Sequence, residues 1–197
     1  MKNITFLVII FLFTSGFALC NKAIGQTDPK QPLTIGDHYG GGIIFSLDPS
    51  GQHGLIAASY DLQVTIWWGN EGLTGASFVT NGDTNTKRIV AFMNKISLEH
   101  PEYSTFWAKK YTPAACSCDS VKITDYSDWY LPAINELNEM YDKQKIIGNF
   151  CVGVYWSSTE SQASKSYTVN FIPGRKNIIE ENWKLKEGYH ARCIRKF

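Results

Sequence analysis

The sequence predicts an α+β fold in a single domain, and three observations lead to that prediction. The chain has 197 residues, 44% of them hydrophobic and 14% aromatic, which suits one globular domain with a substantial core. Two segments repeat apolar residues at helical spacing, and several strand-like segments follow the second of them. Runs of strands that follow a helix are typical of α+β domains.

Residues 1–25 have the pattern of a secretory signal peptide that is cleaved after Gly25. Lys2 gives a positive start, residues 4–18 are mostly apolar, and residues 23–25 supply a small-x-small cleavage pattern. Lipidation at Cys20 is the alternative, but the bulky Leu19 stands where a lipoprotein signal would have a small residue. We therefore expect an exported protein, secreted or held at the cell surface or in the periplasm, with a linker at 26–34.

The charge of the chain bears on its partners. Cleavage after residue 25 would remove two lysines and no acid, so the net charge would fall from +1 to −1. A nearly neutral chain gives no reason to expect nucleic-acid binding. The charge is uneven, because residues 174–197 hold seven Lys or Arg against three Glu. After the leader, no segment is apolar and long enough to suggest a membrane span.

A β-hairpin is predicted at residues 42–58. Two apolar runs, 43–47 and 54–58, flank Asp-Pro-Ser-Gly at 48–51, where Pro and Gly take positions that a β-turn favours. The glycines at 40–42 precede a strand, and no Gly-Lys-Ser/Thr follows, so a nucleotide-binding loop is excluded. The adjacent Trp67 and Trp68 would point to opposite faces of a strand, which predicts one core and one exposed indole.

Amphipathic helices are predicted at about 85–98 and 133–143. Their apolar residues recur at helical spacing: Ile89, Val90, Met93 and Ile96 in the first, and Ile134, Leu137, Met140 and Tyr141 in the second. Pro132 forces an extended residue before the second helix, and Trp129 and Leu131 are expected in the core beneath it. A shorter helix is expected within 106–118, and strands are expected at 152–158, 166–171, 178–185 and 189–195.

Four cysteines follow the leader: Cys116, Cys118, Cys151 and Cys193. An even number in an exported chain predicts two disulfides, for which three pairings exist. Cys116 and Cys118 are too close in sequence to pair comfortably. A zinc site at this Cys-x-Cys is not expected, because no second close pair or nearby His accompanies it. We expect no metal and no other cofactor.

Several motifs occur in one order along residues 35–197. They are Gly-Asp-His-Tyr-Gly-Gly-Gly-Ile-Ile-Phe at 36–45, Gly-Gln-His-Gly-Leu-Ile-Ala-Ala at 51–58, Trp-Gly at 68–69, Asn-Thr at 85–86, Asp-Trp-Tyr-Leu-Pro at 128–132, Glu-Leu at 136–137, Tyr-Trp-Ser-Ser-Thr-Glu at 155–160 and Arg-Cys-Ile-Arg at 192–195. This series resembles the DUF1566 family, also called the Lcl C-terminal domain family.

The resemblance implies a C-type-lectin-like α+β domain at 35–197, with antiparallel strands and two to three helices, related in fold to the formylglycine-generating enzymes. Family members are exported bacterial proteins, mostly of unknown function. The best-known is a surface adhesin whose domain binds sulfated glycosaminoglycans and forms trimers. The resemblance therefore implies a sulfated polysaccharide, or a matrix or surface protein, as partner, and a homo-oligomer. Calcium-dependent sugar binding is not expected, because the Glu-Pro-Asn, Gln-Pro-Asp and Trp-Asn-Asp triplets are missing.

The resemblance also implies a disulfide pattern. Cys118 matches the family cysteine that precedes the Asp-Trp motif, and Cys193 matches a cysteine that some members carry between the terminal arginines. A bridge between these two cysteines would tie a helix to the last strand. It would leave Cys116 and Cys151 as the second pair.

The chain departs from the family pattern at two places. Ala133 stands where Ser is frequent, so the helix that follows lacks the Ser half of a capping box with Glu136. The segment at 94–114 is longer than usual in the family, and no functional residue is carried over there.

The sequence favours a non-catalytic binding module over an enzyme. No Ser-His-Asp set is apparent, the four His lack paired ligand spacing, and the cysteines are better explained as structural. The candidate binding residues are basic side chains that would contact sulfate groups and indoles that would stack on a sugar ring: Arg175, Lys176, Lys184, Lys186, Trp67 and Trp68. The alternative is a structural cell-envelope protein that acts through protein contacts.

Overall fold

The computed structural model describes residues 32–62, 67–102, 112–175, 179–186 and 188–197. Within these ranges the chain forms two antiparallel sheets and four helices with complete bounds, which confirms the predicted α+β class. The expected signal peptide, most of the linker and Lys176 lie outside the described residues. In the same ranges, no helix has the length and apolar character that crossing a membrane requires.

The first sheet contains the predicted hairpin. Its strands are β1 (His38–Tyr39), β2 (Gly42–Leu47), β3 (Gly54–Ala57) and β7 (Ile194–Lys196), in the order β1-β2-β3-β7. The hairpin register pairs Ile43 with Ala57 and Leu47 with Gly54. Gly42 is required at its position, because a Cβ there would lie 2.1 Å from the carbonyl oxygen of Ala57. The C-terminal strand β7 then closes the sheet beside β3.

The second sheet comprises β4 (Val154–Gln162), β5 (Lys165–Asn170) and β6 (Ile179–Trp183), with β5 in the centre. β4 and β5 lie where strands were expected at 152–158 and 166–171 and pair as an antiparallel hairpin, although β4 runs four residues beyond the expected end at residue 158. Cross-strand pairs place Lys165 opposite Trp183 and Val169 opposite Ile179. Among the described residues, no strand pairs with the outer edge of β6.

The helices are α1 (Gly82–Glu99), α2 (Ala114–Ser120), α3 (Ile134–Asp142) and α4 (Gln144–Ile147). α1 begins three residues earlier than predicted, because the side chain of Asn81 accepts a hydrogen bond from the Thr84 N–H at 3.2 Å and caps the helix there. The count exceeds the expected two to three helices because the one-turn α4 directly follows α3.

The described residues form a core of two clusters of buried side chains. One lies around Trp68, Trp129 and Trp156, and the other lies around Phe45 and Leu137 between the first sheet, α3 and the second sheet. Trp129 is 2% exposed and Leu131 is 0% exposed, so the predicted placement of these two side chains in the core is confirmed.

One of the two expected disulfides forms. Cys118 of α2 is bonded to Cys193, and the bridge joins that helix to the chain just before β7, as the family resemblance implied. The expected Cys116–Cys151 pair is wrong, because both cysteines are free. Two steps along a helix turn a side chain by about 200°, so Cys116 faces away from the side on which Cys118 is bonded. Cys151 lies exposed in the segment before β4.

Candidate functional site

Most of the binding residues predicted from sequence do not form a common surface. Both predicted stacking residues are buried: Trp67 is 2% exposed and Trp68 is 1% exposed, so the expectation of one exposed indole is wrong. The backbone of this segment is covered on both sides, because the Trp67 carbonyl accepts from the Ala114 N–H and the Trp68 N–H donates to the Lys184 carbonyl. The alternation of a strand indicates opposite faces, but here packing covers both.

Lys184 is also unavailable as a sulfate contact. Its side chain is completely buried, and its Nζ donates to Oε1 of Glu160 at 2.5 Å and to the carbonyl of Gly72 at 2.7 Å. The ammonium group also lies 4.5 Å from the centre of the Trp68 ring. Burial lowers the pKa of Lys184, and the Glu160 carboxylate opposes that shift. We conclude that Lys184 is a structural residue.

Two of the predicted basic residues remain at the surface. Arg175 is exposed and forms an ion pair with Glu180, with 3.4 Å between the guanidinium Nη2 and the carboxylate oxygen. Lys186 is exposed just after β6. Arg175 and Lys186 therefore flank β6 on its two sides in sequence, which makes this strand the place to search for a binding surface.

Trp183 has the most exposed aromatic side chain among the described residues, and it was not among the binding residues predicted from sequence. Its side chain is 57% exposed, and the Nζ of Lys165 lies 5.1 Å from the centre of its ring. Ile179 and Glu181 are exposed on the same side of the strand, whereas Glu180 and Asn182 are only partly exposed. In a strand, alternate residues face the same side, so the strand expected at 178–185 could have indicated that Ile179, Glu181 and Trp183 share one face. We call the surface formed by Lys165, Ile179, Glu181 and Trp183 the β6 face.

A second polar cluster lies at the opposite edge of the second sheet, around Asp61. The Nε of Arg192 donates to Oδ1 of Asp61 at 2.5 Å, and both side chains are buried. The Tyr155 hydroxyl donates to Oδ2 at 2.5 Å. Burial alone would raise the pKa of Asp61, but the hydrogen bonds from Arg192 and Tyr155 outweigh it and hold that pKa below its ordinary value. Asp61 is therefore an ionised carboxylate inside the protein.

Two further polar side chains complete the Asp61 cluster. Cys151 and His190 each bring a ligand-type atom close to the carboxylate, and all three atoms lie within 4.8 Å of one another. Residues 61, 151 and 190 are far apart in sequence, so spacing rules for Cys and His gave no indication of this cluster. Such a set of side chains can hold a metal ion.

A further ion pair joins the Asp-Trp-Tyr-Leu-Pro segment to β7. Arg195 donates from Nε and Nη2 to the two carboxylate oxygens of Asp128, at 2.7 and 2.8 Å. The guanidinium also lies 3.9 Å from the centre of the Tyr126 ring. The hydrogen bonds from Arg195 hold the pKa of Asp128 below its ordinary value. The pair stabilises the contact between this segment and the first sheet.

Comparisons with known proteins do not identify a family for this chain. No family model matches the sequence, and no curated protein matches it. Among solved structures, the chain is similar to a fimbrial protein from Bacteroides ovatus, with 16% identity and a TM-score of 0.40. The similarity covers 72% of this chain and 35% of the fimbrial protein. At this level the similarity carries no argument about function, and the resemblance to the Lcl C-terminal domain family stays a prediction.

Proposed function

We propose that this protein is an exported, non-catalytic binding module that contacts its ligand through the β6 face. The observation that carries the proposal is Trp183, whose indole is 57% exposed and lies next to the ammonium group of Lys165. Large aromatic side chains that a fold leaves exposed are typical of binding surfaces. Export is supported by the predicted signal peptide and by the Cys118–Cys193 bridge, since disulfides persist in oxidising compartments.

The use of the buried charges supports a non-catalytic role. Three ion pairs hold segments of the fold together: the buried Asp61–Arg192 and Glu160–Lys184 pairs, and the Asp128–Arg195 pair, in which only the arginine is buried. Glu136 is buried as well, and its Oε2 accepts hydrogen bonds from the N–H groups of Gly82 and Ala133 at the starts of two helices. Each of these groups has a structural partner that explains its position.

Sulfated glycan is the ligand that we propose for the β6 face. The flat Trp183 ring offers a stacking surface for a sugar, and Lys165 beside it offers a cation for a sulfate group. Arg175 pairs with Glu180, whose side chain alternates to the other side of β6, so Lys165 is the cation that we propose for this face. The resemblance to the Lcl C-terminal domain family, with its glycosaminoglycan-binding adhesin, supports the same ligand.

The test is binding of the exported form to immobilised heparin across a salt series, with Trp183→Ala and Lys165→Ala beside the wild type. We expect binding that weakens as salt rises, and at least a tenfold loss of affinity in Trp183→Ala. Tyr60→Ala is the matched control, because Tyr60 is 46% exposed and lies outside the β6 face. Equal affinity of wild type and Trp183→Ala would overturn the proposed surface.

A second candidate function is contact with a protein strand. The outer edge of β6 is unpaired among the described residues, and Ile179 and Trp183 leave it partly apolar. Such an edge can accept a further strand from another chain. If heparin does not bind at low salt, we expect the protein to sediment as an oligomer. Ile179→Lys should dissociate that oligomer, because a lysine on an edge strand disfavours pairing.

A further inference from the structure

We propose that Asp61, Cys151 and His190 form a binding site for a divalent transition-metal ion of the zinc class. One ligand atom of each residue lies within 4.8 Å of the others. The site lies apart from the β6 face and does not depend on the proposed function.

The backbone holds the three residues in place. The Cys151 N–H donates to Oδ2 of Asp61 at 2.9 Å, which ties the segment before β4 to the loop after β3. The His190 N–H donates to the Val154 carbonyl at 2.8 Å, and the His190 carbonyl accepts from the Trp156 N–H at 3.0 Å. The three ligand residues therefore converge through the hydrogen bonds of the fold.

The distances suit a tetrahedral ion after a small movement. Metal–ligand bonds of about 2.0–2.3 Å place the ligand atoms of a tetrahedral zinc site about 3.3–3.8 Å apart. The three ligand atoms lie up to 4.8 Å apart, so they must approach one another by about 1 Å to bind the ion. Cys151 is exposed, so rotation of its side chain supplies that movement without disturbing the core.

Asp61 can offer an oxygen to the metal if the Tyr155 hydroxyl changes its hydrogen-bond acceptor. Oδ1 of Asp61 is held by Arg192, and Oδ2 accepts from the Tyr155 hydroxyl and the Cys151 N–H. The Tyr155 hydroxyl has a second acceptor, the carbonyl of Cys151, at 3.1 Å. When the hydroxyl turns to that carbonyl, Oδ2 gains a free lone pair. Arg192 keeps the carboxylate oriented, as partners beyond the direct ligands do in metal sites.

The donor set selects the class of metal. A thiolate, an imidazole nitrogen and a carboxylate together favour zinc and related ions over calcium or magnesium, which prefer oxygen ligands only. On binding, the S–H bond of Cys151 breaks, a metal–sulfur bond forms, and the proton passes to solvent. His190 binds through the ring nitrogen that carries no proton. A water molecule completes four-fold coordination, since the protein supplies three ligands.

Gly153 provides a way to move the imidazole without deleting a ligand. A Cβ on residue 153 would lie 2.8 Å from Nε2 and 2.9 Å from Cδ2 of His190, so Gly153→Ala must displace the ring. We expect Gly153→Ala to weaken metal binding at least tenfold, the size of effect seen when supporting groups of metal sites are changed.

The experiment is a titration of the exported form with Co²⁺, followed by displacement with Zn²⁺, with the Cys118–Cys193 disulfide kept intact and Cys151 as a free thiol. We expect one equivalent of Co²⁺ to produce a near-ultraviolet thiolate-to-cobalt charge-transfer band, and Zn²⁺ to remove the band. Cys151→Ser should abolish it and His190→Ala should weaken binding at least tenfold. Cys116→Ser is the matched control, because Cys116 is the other free cysteine among the described residues and lies outside the cluster.

Thermal unfolding with and without Zn²⁺ distinguishes a loss of metal binding from a folding defect in the variants. Zn²⁺ should raise the melting temperature of wild type and of Cys116→Ser, and leave that of Cys151→Ser unchanged. A band that persists in Cys151→Ser, or the absence of a band in wild type, would overturn the site. Loss of heparin binding in Trp183→Ala would still support the β6 face in that case, so the two proposals fail separately.

Discussion

The Nζ of Lys184 and Oε1 of Glu160 form a buried ion pair at 2.5 Å between the chain that follows β6 and strand β4. Glu160 also accepts hydrogen bonds from the N–H groups of Thr74 and Gly75, at 3.0 and 3.2 Å. The pair therefore holds the glycine-rich segment around residue 74 against the second sheet. A residue that the sequence presented as a surface cation is part of the interior.

We expect Lys184→Met to lower the free energy of unfolding by about 3–5 kcal/mol, because it leaves the buried Glu160 carboxylate without its cation. Urea unfolding followed by tryptophan fluorescence measures the change. Lys186→Met is the matched control and should lie within about 0.5 kcal/mol of wild type, because Lys186 is exposed. Wild-type stability in Lys184→Met would mean that Lys184 reaches solvent and is open to sulfate after all.

Local signals in the sequence account for much of the fold. The β2–β3 hairpin and α3 occur where alternation, turn residues and helical spacing place them. The last strand differs: it was expected at 189–195, but β7 is Ile194–Lys196, and His190 forms an isolated bridge to Tyr155 instead. The segment divides because His190 pairs with β4 of the second sheet, whereas Ile194–Lys196 pairs with β3 of the first sheet. Pairing with distant strands of this kind has no local pattern in the sequence.

The candidate site was less predictable for the same reason. Alternation in β6 turns Trp183 outward and the next residue, Lys184, inward, but only a partner 24 positions away, Glu160, makes an inward lysine tolerable. The sequence-based prediction named the buried Trp67 and Trp68 and did not include the exposed Trp183, because two adjacent residues of a strand are expected to point to opposite faces. The periodicity indicates which way a side chain points, and packing decides what covers it.

The thiol chemistry should follow the single disulfide. We expect non-reducing peptide mapping to show the Cys118–Cys193 link and no other. A thiol reagent should label Cys151 faster than Cys116 in the native protein, because Cys151 is exposed, although its hydrogen bond to the Asp61 carboxylate raises the pKa of its thiol. It should label Cys116 only slowly, because burial raises the pKa of that thiol to about 11. Rapid labelling of both thiols, or of neither, would contradict this arrangement.

Acid stability should depend on Asp128. Its pKa is lower in the folded protein than the ordinary 3.8, because Arg195 donates two hydrogen bonds to it. The stabilisation is therefore fully present above about pH 4 and is lost as the pH falls through the folded pKa. We expect Asp128→Asn to destabilise the protein at pH 7 by less than about 1 kcal/mol, since the carboxylate is largely exposed. The difference from wild type should shrink toward pH 2 in urea unfolding, and a constant difference would contradict the assignment.

The start of α3 offers a stabilising substitution. Ala133 is the N-cap residue, and its N–H donates to Oε2 of Glu136 at 2.7 Å, which is one half of a capping box. Two other N–H groups at this end already have partners, since Ile134 donates to Thr159 Oγ1 and Asn135 donates to the carbonyl of Val79. A serine at 133 would add an acceptor for the Glu136 N–H.

We expect Ala133→Ser to raise the free energy of unfolding by about 0.5–1 kcal/mol, toward the lower end of the usual N-cap effect because the new hydroxyl is fully buried at this position. Ala133→Val is the matched control: it adds bulk without an acceptor and should destabilise. Melting temperatures and urea midpoints of wild type, Ala133→Ser and Ala133→Val test this prediction. A serine variant no more stable than wild type would show that burial of the hydroxyl cancels the gained hydrogen bond.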